Sequence, residues 1–122
     1  MPENLLRSLV KKRDFEQVFR EGLTAASKYL VIYAKPNELN FSRLGLSVSK
    51  KIGKAVKRNR IKRLLREAMR RLLKEWPFTY DFVLVARKSS VDANMEDFVC
   101  DINKFMVRIK DEKSSDISDK TL

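Results

Sequence analysis

The sequence predicts an α+β fold, a single domain in which one sheet packs on helices. Three observations predict it. Short stretches rich in Tyr, Val, Ile and Leu have the length and patterning of strands. Longer stretches place apolar residues at i, i+3, i+4 and i+7, as amphipathic helices do. The two kinds alternate along 122 residues in the order αβββαβα, enough chain for one modest core.

Residues 1–11 read as a loosely ordered basic and apolar lead-in. From Lys12 to Glu21, Phe15, Val18 and Phe19 share a helix face, and Gly22 suits a left-handed stop. Thr24 to Ser27 is a weak, short edge strand. Tyr29 to Lys35 reads as a strand closed by Pro36-Asn37. After a turn at Glu38 to Ser42, Leu44, Leu46 and Val48 alternate with Gly45, Ser47 and Ser49. That makes a half-buried strand with unusually small residues on its second face.

Lys50 to Lys54 is a basic loop broken by Gly53. The helix that follows, Ala55 to Glu75, buries Ile61, Leu64, Leu65, Ala68 and Leu72 and stops at Trp76-Pro77. Tyr80 to Ala86 (YDFVLVA) is mostly apolar, which predicts a central strand. Arg87 to Ser90 is a basic turn. A last helix runs from Asn94 to Lys110 with Met95, Phe98, Ile102, Phe105, Met106 and Ile109 on one face. The domain is thus expected to span residues 1–110, and 111–122 has the composition of a flexible tail.

Charge is distributed very unevenly. Between Lys50 and Lys74 lie twelve basic residues and one acid, Glu67, which accounts for the whole formal net charge of +11. Asn59, Lys62, Arg63, Arg66, Arg70 and Lys74 fall on one helical arc opposite the apolar stripe. Like charges at i,i+4, such as Lys62/Arg66 and Arg66/Arg70, destabilise an isolated helix. The arrangement is tolerable when phosphates neutralise it, so nucleic acid is the implied partner. A basic-region zipper needs apolar heptads beyond the basic part, and Trp76-Pro77 leaves no room for them.

The composition also excludes chemistry. With no histidine, the chain has no imidazole base, no Ser–His or Cys–His pair and no histidine metal ligand. A single cysteine, Cys100, rules out an internal disulfide and reads as packing material. No apolar run spans a membrane, and the N-terminus lacks the apolar core of a signal peptide, so the expected location is the cytoplasm. Asp92, Glu96, Asp97 and Asp101 near the start of the last helix read as complements of its dipole. The rings of Phe15, Phe19, Tyr29 and Tyr33 beside Ser47 and Ser49 suit base stacking, although periodicity alone favours Phe15 and Phe19 as core.

KKIGKAVKRNRIKRLLRE (Lys50 to Glu67), preceded by Gly-Leu-Ser-Val-Ser, resembles the signature of the protein subunit of bacterial ribonuclease P. The resemblance extends to Asp14-Phe15, Val18-Phe19 and Gly22, and downstream to Asp81 through Lys88. It implies a fold similar to domain IV of elongation factor G and a ribosomal-protein domain, with a left-handed βαβ crossover that topology rules alone would not choose. It further implies two partners, a ribonuclease P RNA and precursor tRNA, and no small-molecule substrate or membrane. Magnesium, held mainly by the RNA, would carry out the hydrolysis that frees the mature 5′ end.

Carried over by position, Lys50, Lys51, Lys54, Lys57, Arg58, Asn59, Arg60, Lys62, Arg63, Arg66 and Arg70 would meet the RNA subunit. Phe15, Phe19, Tyr33, Ser47 and Ser49 would form the cleft for the single-stranded 5′ leader, with Lys50 on its rim. Two other classes stay open on residues alone. One is a ribosomal or assembly protein that clamps folded RNA, and the other is a self-sufficient nuclease working through carboxylates.

Overall fold

The structure, a computed structural model, describes the backbone of residues 6–121 and the side chains of residues 6–112. Its elements are β1 (Leu6–Ser8), α1 (Lys12–Glu21), β2 (Leu23–Ala26), β3 (Leu30–Pro36), β4 (Ser42–Ser47), α2 (Ala55–Leu73), β5 (Tyr80–Ala86) and α3 (Met95–Thr121). Short 3-10 turns at Lys50–Ile52 and Lys88–Asp92 occupy the two basic loops. The five strands form one mixed sheet in the order β1-β4-β5-β3-β2, with β5 in the centre as its apolar run predicts. β4 and β5 are parallel neighbours joined through α2, the unit expected to carry the crossover, whereas β3 runs antiparallel to both β5 and β2.

Because side chains alternate across a strand, the sheet has two different faces. One carries Leu30, Ile32, Ala34, Leu44, Tyr80, Phe82, Leu84 and Ala86, all buried. Against it pack Ile61, Leu65, Ala68, Met69 and Leu73 of α2 and Phe98, Ile102, Phe105, Met106 and Ile109 of α3. Among the described residues the opposite face is covered by α1 and by Leu9 ahead of it, where Val18, Leu9 and Val83 are buried and Phe15, Tyr33 and Val85 are half-buried. At roughly 2 kcal/mol per fully buried large apolar side chain, the α2/α3 side dominates stability. The α1 side keeps surface to spare.

The structure differs from the expectations of the sequence in several places. The lead-in is not loose throughout: Leu6–Ser8 is a strand parallel to β4, extended by Leu9 N–H donating to the Leu44 carbonyl at 2.9 Å. Three residues are too few to show an alternating pattern, so pairing with β4 decides their conformation. Gly22 is not left-handed, for its φ is −79°. A Cβ there would lie 2.6 Å from the Val18 oxygen and 3.0 Å from the Ala34 oxygen, so glycine is required by the close approach of α1 to β3.

On α2 the buried stripe is rotated slightly. Met69 and Leu73 are at its centre, while Leu64 and Leu72 are its half-buried flanks. Cys100 is exposed, on the outer side of α3, and contributes no packing. The α3 backbone continues past Asp111, where the tail 111–122 was expected to begin, as far as Thr121. The side chains of 113–122, and Leu122 altogether, lie outside the described residues.

Candidate nucleic-acid interface

β4 is the strand around which the candidate site is built, because it feeds both halves. Its α1-covered face supplies Gly45, buried beneath α1, and the exposed Ser47, and its continuation through Ser49 and the Lys50–Ile52 turn leads directly into α2. Ser49 caps that turn, its Oγ accepting from Lys51 N–H at 3.1 Å. Ser47, Ser49 and Lys50 are all exposed.

The sequence made β4 small on this face, and the structure shows why. The Phe15 ring lies on Gly45, so close that a Cβ there would sit 2.5 Å from Cζ of the ring. Phe19, one turn on, is 42% exposed and meets Tyr33 edge-on, with centroids 4.8 Å apart. Phe15 and Phe19 lie 6.3 Å apart and tilted. The floor beside them is set by register: Val31 of β3 pairs with Val85 of β5, which pairs with Ser47 of β4. Phe15, Phe19 and Tyr33 are therefore brought together over Gly45, with Ser47 next on the same face of β4 and Ser49 just beyond the end of that strand. Neither sequence reading of the two Phe rings is sufficient alone, since Phe15 is half-buried and Phe19 keeps an open edge.

The basic half lies on α2. Asn59, Arg63, Arg66, Arg70 and Lys74 are exposed and Lys62 is half-buried. Among the described residues, Lys50, Lys51, Lys54, Lys57, Lys62, Arg63, Arg66 and Lys74 have no acid within ion-pair distance, so their charge is not neutralised internally. Arg70 does have one, Glu67 at 3.6 Å, an exposed pair worth little. Arg58 and Arg60 have structural duties as well. Arg58 Nε donates to the Gly53 carbonyl at 3.1 Å, tying α2 to its entry loop, and Arg60 reaches the Ala93 carbonyl at 3.5 Å. Arg87, the expected basic turn, donates to the Ser27 carbonyl at 3.0 Å and holds the β2–β3 turn in place.

The two halves meet at the open side of β4. β1 pairs only as far as Leu44, and beyond it a cleft of about 170 Å³ is lined by Phe15 from one side of the sheet and Lys62 and Arg66 from the other. Larger cavities of about 330 and 390 Å³ lie beside α3, away from this edge.

One feature of the site was missed by sequence reasoning. At the end of the α1-covered face, Arg43 donates through Nε and Nη2 to both oxygens of Asp81, at 2.8 and 2.6 Å. Its Nη1 reaches Asp14 on the first turn of α1 at 3.3 Å. Asn37 Nδ2 also donates to Asp81, at 2.7 Å. The hydrogen bonds that Arg43 donates to Asp81 raise the guanidinium above its usual range, outweighing burial, which acts the other way. The signal available in the sequence was an aspartate inside the apolar run YDFVLVA, since a buried carboxylate needs a cation.

The acids of α3 are equally engaged. Asp97 and Asn94 cap the helix reciprocally, Glu96 faces Arg71 at 3.7 Å, and Asp101 accepts from Tyr29 N–H at 3.4 Å. Among the described residues no group of three or more His, Cys, Asp or Glu side chains could hold a metal ion. No helix among them is long and apolar enough to cross a membrane.

Known proteins share this sequence pattern and fold. The family model Ribonuclease P matches residues 4–110. The ribonuclease P protein component of Clostridioides difficile (strain 630) is 44% identical over 109 residues, covering 88% of this chain and 96% of that protein. The component from Clostridium botulinum (strain Loch Maree) is 45% identical over 98 residues, 80% of this chain and 86% of the relative. Among solved structures, the RNase P protein of Thermotoga maritima superposes with a TM-score of 0.73 at 31% identity, covering 84% of this chain and 96% of that one. That of Staphylococcus aureus gives 0.72 at 32% identity, covering 84% and 94%.

Proposed function

This chain belongs to the ribonuclease P protein family, and on that premise we propose that it is the RNA-binding subunit of a bacterial endoribonuclease that removes the 5′ leader of precursor tRNA. In this reading the chain binds two RNAs at once. The unneutralised face from Lys50 to Arg70 lies against the phosphates of the ribonuclease P RNA, and the groove between α1 and β4 receives the single-stranded leader. The hydrolysis is performed by the RNA subunit with magnesium that it holds, in the cytoplasm. The part of the protein is to screen phosphate repulsion where enzyme RNA and substrate crowd together, which lowers the magnesium requirement.

The observation that carries this reading is the continuity of the two halves along β4. In this reading Gly45 and Ser47 belong to the groove and Ser49 and Lys50 to its rim, and the helix that follows them in the chain bears the cationic face. A leader stacked on Phe15 and Phe19 would pass directly to the α2 surface, since exposed rings stack on bases of any sequence. Arginine dominates the central turns of α2, and its planar fork suits phosphate oxygens.

The test reconstitutes the full chain with a bacterial ribonuclease P RNA and measures affinity for precursor and mature tRNA. The protein should tighten binding of the precursor severalfold more than that of the mature form, because only the precursor carries a leader. Equal tightening of both would overturn the leader assignment. Recovery of ribosomal RNA as the dominant bound species would overturn the partner.

A further inference from the structure

We propose that Asp14, Arg43 and Asp81 form a positioning clamp that sets the width of the leader groove by fixing the first turn of α1 over β4. The proposal rests on the reading of the groove as a leader site. It extends that reading to three residues that do not face the groove themselves.

The argument begins with register. Arg43 and Gly45 are two apart on β4 and therefore project from the same face. Asp14 and Phe15 are adjacent on α1. The pair from the helix is seated on the pair from the strand, Asp14 on Arg43 at 3.3 Å and Phe15 on Gly45 in direct contact. Two neighbouring fixtures of this kind determine both the height and the rotation of the helix. Phe19, a turn further on, is carried by the same rigid helix to its position 4.8 Å from Tyr33.

The clamp is anchored in the most rigid part of the sheet. Asp81 is on the central strand, 5% exposed, and its two oxygens are engaged by Arg43 and Asn37. Only a guanidinium can do what Arg43 does, using Nε and Nη2 toward one carboxylate and Nη1 toward another in the same plane. Side-chain exposure of 23% for Arg43 and 17% for Asp14 shields the contact from water without burying it completely. Among the described residues, α1 is otherwise held by a small apolar cluster, by Phe19 against Tyr33 and by the close approach of Gly22 to β3. Loss of the Asp14 contact frees the end of the helix that carries Phe15.

The test uses D14N and R43K in the reconstituted complex, with F19A as a control for the groove itself. Steady-state kinetics on the leader-bearing precursor, with equilibrium binding of the leaderless mature tRNA measured beside it, separate positioning from general damage. D14N and R43K should raise KM for the leader-bearing substrate about threefold, with kcat and RNA-subunit affinity unchanged and the leaderless ligand bound as before. Thermal melting run in parallel shows whether each variant is folded at the assay temperature. If F19A loses leader discrimination while folded D14N and R43K keep all of it, the clamp is overturned and the groove stands. If F19A keeps discrimination too, the groove reading fails and the clamp fails with it.

Discussion

Replacing Gly45 by alanine isolates the contact on which the groove depends. A Cβ at this position would lie 2.5 Å from Cζ and 2.7 Å from Cε1 of Phe15. Carbon atoms in contact sit about 3.5–4.0 Å apart, so the ring must retreat by roughly 1 Å. It cannot retreat freely, because Phe19 is behind it at 6.3 Å and Asp14, the preceding residue, is tied to Arg43. Overpacking of this kind costs typically about 1–3 kcal/mol, and the half-exposed ring places the expected loss near 1.5 kcal/mol. Urea denaturation followed by far-UV circular dichroism reads that as a lower midpoint at unchanged slope. A double-mutant cycle with Phe15→Ala supplies the decisive comparison. With the ring gone the added methyl has nothing to strike, so G45A should cost almost nothing in the F15A background, a coupling of about 1 kcal/mol or more. Additive effects of the two substitutions would refute the seat. In reconstituted complexes, G45A should also weaken leader discrimination, because Phe15 has moved.

Other perturbations follow from the same geometry. Gly22→Ala places its methyl against backbone oxygens of both Val18 and Ala34, neither of which can swing aside, and should lower stability by about 2–3 kcal/mol in the same denaturation assay. Asp81→Asn leaves Arg43 with half of its fork on the central strand, and a loss of about 3 kcal/mol is expected, at the low end for a broken buried pair because Arg43 keeps some solvent. Arg63→Ala and Arg66→Ala should each weaken RNA-subunit binding and reduce the slope of log affinity against log salt by about 1, measured by filter binding across salt concentrations. Burial, with Glu112 adding repulsion, pushes Tyr80 above the ordinary tyrosine value of 10.0. The unfolded chain then ionises first, so this contribution to stability is complete below about pH 10 and declines as pH rises beyond it. Tyr80→Phe should flatten the alkaline decline in denaturation midpoints.

Much of the molecule was legible along the chain because it depends on local pattern. Helix α1 was expected at its observed bounds, and β3, β4, α2 and β5 within about two residues, since each combines a clear apolar period with a Gly or Pro stop. β1 was not, because three residues carry no period and only pairing with β4 holds them extended. The acids near the start of α3 read in sequence as complements of its dipole, whereas the specific exchange between Asn94 and Asp97 and the bond from Tyr29 N–H to Asp101 depend on partners that only the fold supplies.

By itself the sequence determined where the charge lies, which helix bears it and what chemistry the chain lacks. Those properties are additive over residues, and helical periodicity translates them directly into one face. Tertiary structure alone decided which residues share a groove. Phe15 and Gly45 are thirty positions apart, Asp14 and Arg43 nearly as far, and Asp81 lies on a strand that arrives only after α2 has crossed the sheet. Those contacts follow from the strand order and register, which long-range pairing selects and no local window contains. Hence Gly22 could be read as a helix stop from its position but understood as a close approach only from Ala34 beside it, where two backbones meet with no room for a Cβ.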